Sequence, residues 1–228
     1  MLRKFLIAAA VVISMLVAIP VVLVPIYAIP AIHPVSTLIL RDHFSFRPYL
    51  RDWVDLNEIA PVMRYSVIMS EDGQFCRHDG VDWGEMASVV DEFLEGAETR
   101  GASTIPMQTV KNLFLWNGRS YVRKALELPL ALYLNLVLSK ERILEIYLNI
   151  AEWDEGVYGI EAASQHYFGR SADSLTARQA ALLAVTLPSP VTRNPAAPSR
   201  RMNALADRVQ RLARASGSYV GCVKTESG

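Results

Sequence analysis

Apolar and polar positions along most of this chain recur with the 3.6-residue period of a helix, and only the N-terminal end is apolar throughout. Residues 5–32 contain no charge, a stretch longer than the ~20 residues with which an α-helix crosses a bilayer. Arg3 and Lys4 precede it, so the positive-inside rule keeps the N-terminus cytoplasmic and exports the remainder of the chain. Pro20, Pro25 and Pro30 are expected to confine the regular helix to about residues 5–24. The competing reading is a cleaved signal peptide, but the apolar region exceeds a usual signal core and no clean small-x-small site succeeds it. Either way the polar part of the chain lies outside the cytoplasm, away from ATP and nicotinamide cofactors.

Residues 33–60 are mixed and punctuated by proline, and read as a linker. Val62, Tyr65, Ile68 and Met69 then recur at helical spacing up to Ser70-Glu71-Asp72. Residues 104–116 read as a helix entered through Ser103 or Thr104, with Pro106 tolerated in its first turn. A long helical region covers 120–150 with a break near Ser139. Thr176 and Gln179 have capping-box form and open an Ala/Leu helix that stops before Pro188. Residues 199–215 form a last amphipathic helix with Met202, Leu205, Val209 and Leu212 on one side. Strand alternation is nearly absent, and no repeat or low-complexity stretch interrupts the pattern. The expected class is mainly α. The expected organisation is a cytoplasmic tip and transmembrane anchor at 1–32, a linker at 33–60, a single domain at 61–198, and a basic helix with a tail at 199–228.

Composition adds three constraints. Of 228 residues, about 195 remain beyond the anchor, enough to bury a sizeable core. Lys+Arg and Asp+Glu are both 23, so no global field points to nucleic acid and electrostatic arguments must be local. Cys76 and Cys222 are too few for a disulfide framework; they could pair in an oxidising compartment, but their spacing gives no geometric argument for it. With no further Cys or His at ligand spacing, no metal site is expected.

Three constellations could carry chemistry. In the first, Glu71 comes after the apolar run Val67-Ile68-Met69, and partial desolvation would raise its pKa towards the range useful for acid–base work. Gly73 and Gly80 mark turns, and His78 could orient a neighbouring carboxylate; a solvated acidic helix end is the bland alternative. In the second, Thr104, Gln108 and Lys111 share one helix face while Met107, Val110 and Phe114 take an adjoining apolar one. A hydroxyl, an amide and an ammonium near a helix N-terminus suit a phosphate-bearing ligand, though an ordinary amphipathic surface helix fits the pattern as well. In the third, Arg123, Lys124 and Glu127 cluster at i, i+1 and i+4, which a local ion pair worth tenths of a kcal/mol explains fully. Leu113–Trp116 could be core or rest at the lipid interface. Arg200, Arg201, Arg208, Arg211 and Arg214 give the last helix a solvated basic face that anionic lipid could attract.

Taken in order, these pieces resemble the glycosyltransferase family that makes peptidoglycan strands, and within it the short monofunctional biosynthetic transglycosylases. The resemblance rests on Glu71-Asp72-x-x-Phe75-x-x-His78-x-Gly80, on Gly101-Ala102-Ser103-Thr104-Ile105-x-x-Gln108 with Lys111-Asn112, and on Arg123-Lys124-x-x-Glu127. It continues through Ser139-Lys140-x-x-Ile143-Leu144-Glu145-x-Tyr147-Leu148-Asn149 and Gly159-Ile160-Glu161-Ala162-Ala163 with Tyr167-Phe168-Gly169, spanning roughly residues 60–195. Each motif alone is weak; five in order are specific. Too little chain lies beyond Pro198 for a transpeptidase domain.

The resemblance implies a lysozyme-like helical lobe with a smaller membrane-proximal lobe, and an inner-membrane protein with a periplasmic catalytic domain. It implies lipid II and the growing lipid-linked strand as substrates, joined by β-1,4 bonds with inversion. Glu71 would be the base and Glu127 the second essential carboxylate. Lys111, Arg123 and Lys124 would hold the departing diphosphate, and Asp72, Phe75, His78, Thr104, Gln108, Tyr147 and Asn149 would shape the cleft. No nucleotide cofactor is required, matching the absence of Walker-type or Rossmann-type glycine signatures; a divalent cation such as Mg is compatible, and wall-synthesis or division proteins are conceivable partners. Ala102, Pro106-Met107, Pro129 and Asn135 depart from the family pattern, and Pro129 is expected to kink the helix carrying Glu127. Two other classes compete: a lytic muramidase sharing the helical lobe, and a silent anchored scaffold.

Overall fold

A computed structural model describes residues 2–95, 101–118 and 120–224. Residue 1 of the expected cytoplasmic tip and residues 225–228 of the expected tail lie outside them. Helix α1 (Leu2–Tyr27) contains Pro20 and Pro25 and continues past residue 24 instead of ending near it. Among the described residues no helix is long and apolar enough to cross a membrane. The end of α1 is fixed to the rest of the protein. The Arg142 guanidinium donates to the carbonyls of Tyr27 at 2.8 Å and Ile29 at 3.1 Å and to that of Ile32, while Tyr133 Oη donates to the Val21 carbonyl at 3.0 Å.

The stretch expected to be a linker is instead built into the fold. Ser36 caps α2 (Thr37–Phe44), whose Ile39 and Asp42 are buried. Strand β1 (Leu50–Arg51) and a helical turn at Leu56–Glu58 come next, with Leu56 and Ile59 in the core. The reason is tertiary. Asn149 uses its amide to accept from Val54 N–H at 2.9 Å and donate to Val54 C=O at 2.8 Å, replacing the sheet partners that segment lacks.

Helix α3 (Pro61–Glu71) opens on Pro61, at the position where a missing N–H removes nothing. Asp82 accepts from Glu85 N–H at the start of α4 (Trp83–Leu94), a helix the sequence pattern did not announce. Thr104 caps α5 (Ile105–Phe114), Ser120 caps α6 (Tyr121–Val137) and Ser139 caps α7 (Lys140–Ile150), each hydroxyl accepting a backbone N–H three residues on. The break expected near Ser139 is therefore a cap. Pro129 sits inside α6 without ending it.

Strands β2 (Glu152–Asp154) and β3 (Val157–Tyr158) form a hairpin; β3 also pairs in parallel with β1, giving the order β1-β3-β2. Helix α8 (Ile160–Phe168) starts after Gly159. The capping box of Thr176 and Gln179 opens α9 (Ala177–Ala184), and Ser199 caps α10 (Arg200–Arg214). The class is mainly α.

Helix α7 supplies the centre of the core: Ile143, Leu144, Ile146, Tyr147, Leu148 and Ile150 are all buried, each worth about 1.5–3 kcal/mol relative to exposure. Helices α5 and α6 pack on one another and α5 on α7, while α3, α9 and α10 form a second group. Cys76 and Cys222 close a disulfide across 146 residues, with Cα atoms 5.5 Å apart. It ties the turn after α3 to the last described helical turn, Gly217–Val223, a proximity that spacing in sequence could not reveal.

Candidate active site

The site is built around the turn at the end of α3. Asp72 is buried and its Oδ2 accepts the backbone N–H of Ile105 at 2.9 Å, at the N-terminus of α5 where a carboxylate is favoured. His78 Nε2 lies 2.9 Å and 3.0 Å from the two Asp72 oxygens. Its Nδ1 accepts Gly80 N–H at 3.1 Å, so the proton of the neutral ring sits on Nε2 and is donated to Asp72. Gly80 has φ +106°, and a Cβ there would come within 2.5 Å of the Ala131 carbonyl oxygen on α6. Only glycine fits. Its own carbonyl accepts the Thr104 hydroxyl at 2.6 Å. Lys140 Nζ, its pKa pushed down to about 8 chiefly by burial, donates to the His78 carbonyl at 2.7 Å and lies 4.7 Å from the centre of the Phe75 ring.

Glu71 is the last residue of α3 and looks away from this knot. Ser70 Oγ donates to one carboxylate oxygen at 3.2 Å and Gln108 Nε2 to the other at 3.2 Å. The Gln108 amide is turned that way because its Oε1 accepts from the buried Tyr147 hydroxyl at 3.0 Å. Burial raises the Glu71 pKa above the ordinary carboxyl value; the two hydrogen bonds and the charge of Arg193 pull against it, and Asp72 adds to the rise. A carboxylate with two donors and a raised pKa can both exist as an anion and accept a proton.

Facing it is a group of cations. Glu127 is buried on α6 and pairs with Arg123, while Lys124 Nζ reaches it at 3.0 Å and also donates to Ser103 Oγ at 2.6 Å. Burial, with the neighbouring charges of Arg123 and Lys111, lowers the Lys124 pKa to about 8. Lys111 is lowered too, first by burial and then by Arg123, and Glu71 and Glu152 oppose the change. One carboxylate thus fixes two of three crowded cations, and the Lys111 ammonium has no hydrogen-bond partner among the described residues. Pro129, two residues beyond Glu127, leaves this aim intact.

Two cavities meet at Glu71. One, of about 440 Å³, is lined by Glu71, Gln108, Lys111, Arg123, Lys124 and Glu127. The other, of about 600 Å³, is lined among others by Glu71, Asp72, Asp82, Glu85 and Tyr219. The first is cationic and the second carries carboxylates.

Of the residues named from sequence, Glu71, Gln108, Lys111, Arg123, Lys124 and Glu127 come together in one cleft. Asp72 and Thr104 edge the second cavity, but Asp72 is spent on His78 and Ile105, and Thr104 on capping α5 and on Gly80. Phe75, Tyr147 and Asn149 are buried and do not line either cavity, and His78 touches Asp72 and Gly80 instead. They hold the cleft from behind, because their side chains are consumed by contacts within the protein. Sequence reasoning gave Ser103, which holds Lys124, only a possible place at the helix entry, and gave none to Glu152 and Arg193, whose charges reach Lys111 and Glu71. Ser103 lay within the Gly101–Gln108 motif and was findable; the other two had no local signal.

A helical protein in which one desolvated carboxylate faces a fixed group of cations has the parts for group transfer from a phosphorylated donor. Comparison with known proteins narrows this. The sequence model of the Transglycosylase family matches residues 41–215. A biosynthetic peptidoglycan transglycosylase of Agrobacterium fabrum is 60% identical over 208 residues, covering 91% of this chain and 92% of its own. The protein of that description from Brucella suis is 60% identical over 209 residues (92% and 93% covered), and that from Mesorhizobium japonicum 56% over 224 (98% and 95%). The chain belongs to the Transglycosylase family.

The placement of Thr104 has a testable consequence. Thr104→Val removes a helix cap and a buried hydrogen bond, and lowers unfolding stability by about 1–3 kcal/mol in urea denaturation. Affinity for a diphosphate ligand, measured below the unfolding transition, stays within about two-fold of wild type, since the hydroxyl faces Gly80.

Proposed function

We propose that the protein is a peptidoglycan glycosyltransferase that polymerises glycan strands from lipid II. Glu71 takes the proton from the acceptor's 4-hydroxyl as that oxygen attacks C1 of the donor sugar from the face opposite the diphosphate. The C1–oxygen bond to the diphosphate breaks, the anomeric centre inverts, and undecaprenyl diphosphate leaves. Negative charge grows on the leaving group in the transition state, and charges held in place beforehand stabilise it without reorganisation. Lys111, Arg123 and Lys124 take that part. Glu127 orients two of them and lowers the repulsion of assembling three. The bond energy of the sugar diphosphate drives the reaction, so no nucleotide cofactor is needed.

The observation that carries this reading is the position of Glu71 at the junction of a cationic and a carboxylate-lined cavity. The relatives' names and the family membership support it. A muramidase cleaves neutral linkages and gains nothing from three cations beside its acid. We further read the N-terminal segment, residues 1–32, as a single-pass inner-membrane anchor with the domain in the periplasm. That rests on the charge-free residues 5–32 behind Arg3 and Lys4 and agrees with a disulfide, which persists in oxidising compartments.

With detergent-solubilised protein and lipid II, Glu71→Gln is expected to abolish strand growth while keeping lipid II binding; strand growth by that variant rules out the base. Lys111→Ala and Arg123→Ala each weaken donor binding and turnover by about ten-fold or more, and unchanged donor affinity in both would remove the diphosphate assignment. The pH profile of kcat/KM depends on the two perturbed groups. Activity rises with pH as Glu71 ionises, at a pKa above the ordinary carboxyl value, and falls again as Lys124 loses its proton near pH 8. Lys124→Arg keeps the charge and moves the alkaline limb upward; an unmoved limb means that another group sets it.

A further inference from the structure

The carboxylate-lined cavity has a wall that the domain cannot make without its C-terminal segment. Leu212 and Ala215 lie at the end of α10 and just past it, and Tyr219 stands in the last helical turn. That turn rests on α3 and α7, with the Arg64 guanidinium donating to the Val223 carbonyl at 3.1 Å. It is held at three points by the turn that carries the site. Cys222 is bonded to Cys76, the guanidinium of Arg77 lies 4.0 Å from the centre of the Tyr219 ring, and Arg77 also donates to Ser218 Oγ at 3.5 Å. Tyr219 N–H donates to the Ser216 carbonyl at 2.8 Å, and Val220 and Val223 are buried beneath. Two covalent neighbours, Cys76 and Arg77, thus set the position of one aromatic ring at the cavity edge.

The lining selects the ligand. Glu71, Asp82 and Glu85 repel a diphosphate but accept hydrogen bonds from sugar hydroxyls and acetamido N–H groups, and an aromatic ring is the group that packs on the C–H face of a pyranose. Resting on the function proposed above, we propose that Tyr219 is a sugar-binding platform for the lipid-free part of the glycan, held in register with Glu71 by the Cys76–Cys222 disulfide. The disulfide is then a positioning device for strand contact as well as a brace for the fold. A ring gripping sugars beyond the reacting pair controls how long a strand stays bound, and so how long it grows.

The experiment uses the full chain in detergent with lipid II, reading KM and strand-length distribution together, with thermal melts as a folding control. Tyr219→Leu keeps apolar bulk and removes the ring. It is expected to raise KM by about five-fold and shorten strands, with a smaller change in kcat. Tyr219→Trp restores both. Cys76→Ser with Cys222→Ser moves KM and length in the same direction, and adding Tyr219→Leu to that pair changes little more, because both act through one ring. Wild-type KM and length in Tyr219→Leu overturn the proposal, as do failure of Tyr219→Trp to restore them or full additivity of the cysteine pair with Tyr219→Leu. A wild-type chain that makes no strands at all counts against the polymerase reading instead.

Discussion

Asp72 accepts one hydrogen bond from the first N–H of α5 and one from His78, and through these the turn after α3 is folded on itself and pinned to α5. His78 in turn receives Gly80 N–H, Gly80 leans on α6 and takes the Thr104 hydroxyl, and Lys140 on α7 reaches the His78 carbonyl. Three helices, α5, α6 and α7, are thereby fixed relative to Glu71 around one buried carboxylate. Burying that charge is tolerable only because its partners are complete. Glu71 itself makes none of these contacts, which leaves its side chain for the cleft.

The same division of labour recurs at the cations. Glu127 is as buried as Asp72 and likewise spends its oxygens on neighbours, here Arg123 and Lys124. A local i, i+4 ion pair on an exposed helix would stabilise by tenths of a kcal/mol. In this cleft its effect is different: it keeps cations close together where water screens them poorly, and burial first, then the charges of Arg123 and Lys111, hold the Lys124 pKa down.

The periphery serves the same centre. Arg142 clamps the residues leaving α1 to α7, and Asn149 on the same helix replaces the missing sheet partners of Val54. The N-terminal segment is therefore held at a defined place against the helix that forms the core, and the disulfide does the equivalent for the C-terminal end at the turn beside Glu71.

Local chemistry made much of this legible in the sequence. The helix entries at Thr104 and Thr176 are read from single residues, because a hydroxyl meets an N–H three positions away, and the caps at Ser120, Ser139 and Ser199 fall where the helical pattern starts or breaks. The grouping of Arg123, Lys124 and Glu127 comes from helical spacing alone. Three other features were out of reach. Residues 33–60 carry too weak a pattern to show that they pack, since Asn149 and the core supply their order. Phe75, Thr104, Tyr147 and Asn149 belong to the motifs, yet whether a motif side chain faces a ligand or its own scaffold depends on which helices surround it. The pairing of Cys76 with Cys222 joins positions 146 residues apart, and only the path of the chain through α9 and α10 brings them together. Spacing along a chain fixes what neighbours within a turn can do; what faces the cleft is decided by contacts between elements, which no local pattern encodes.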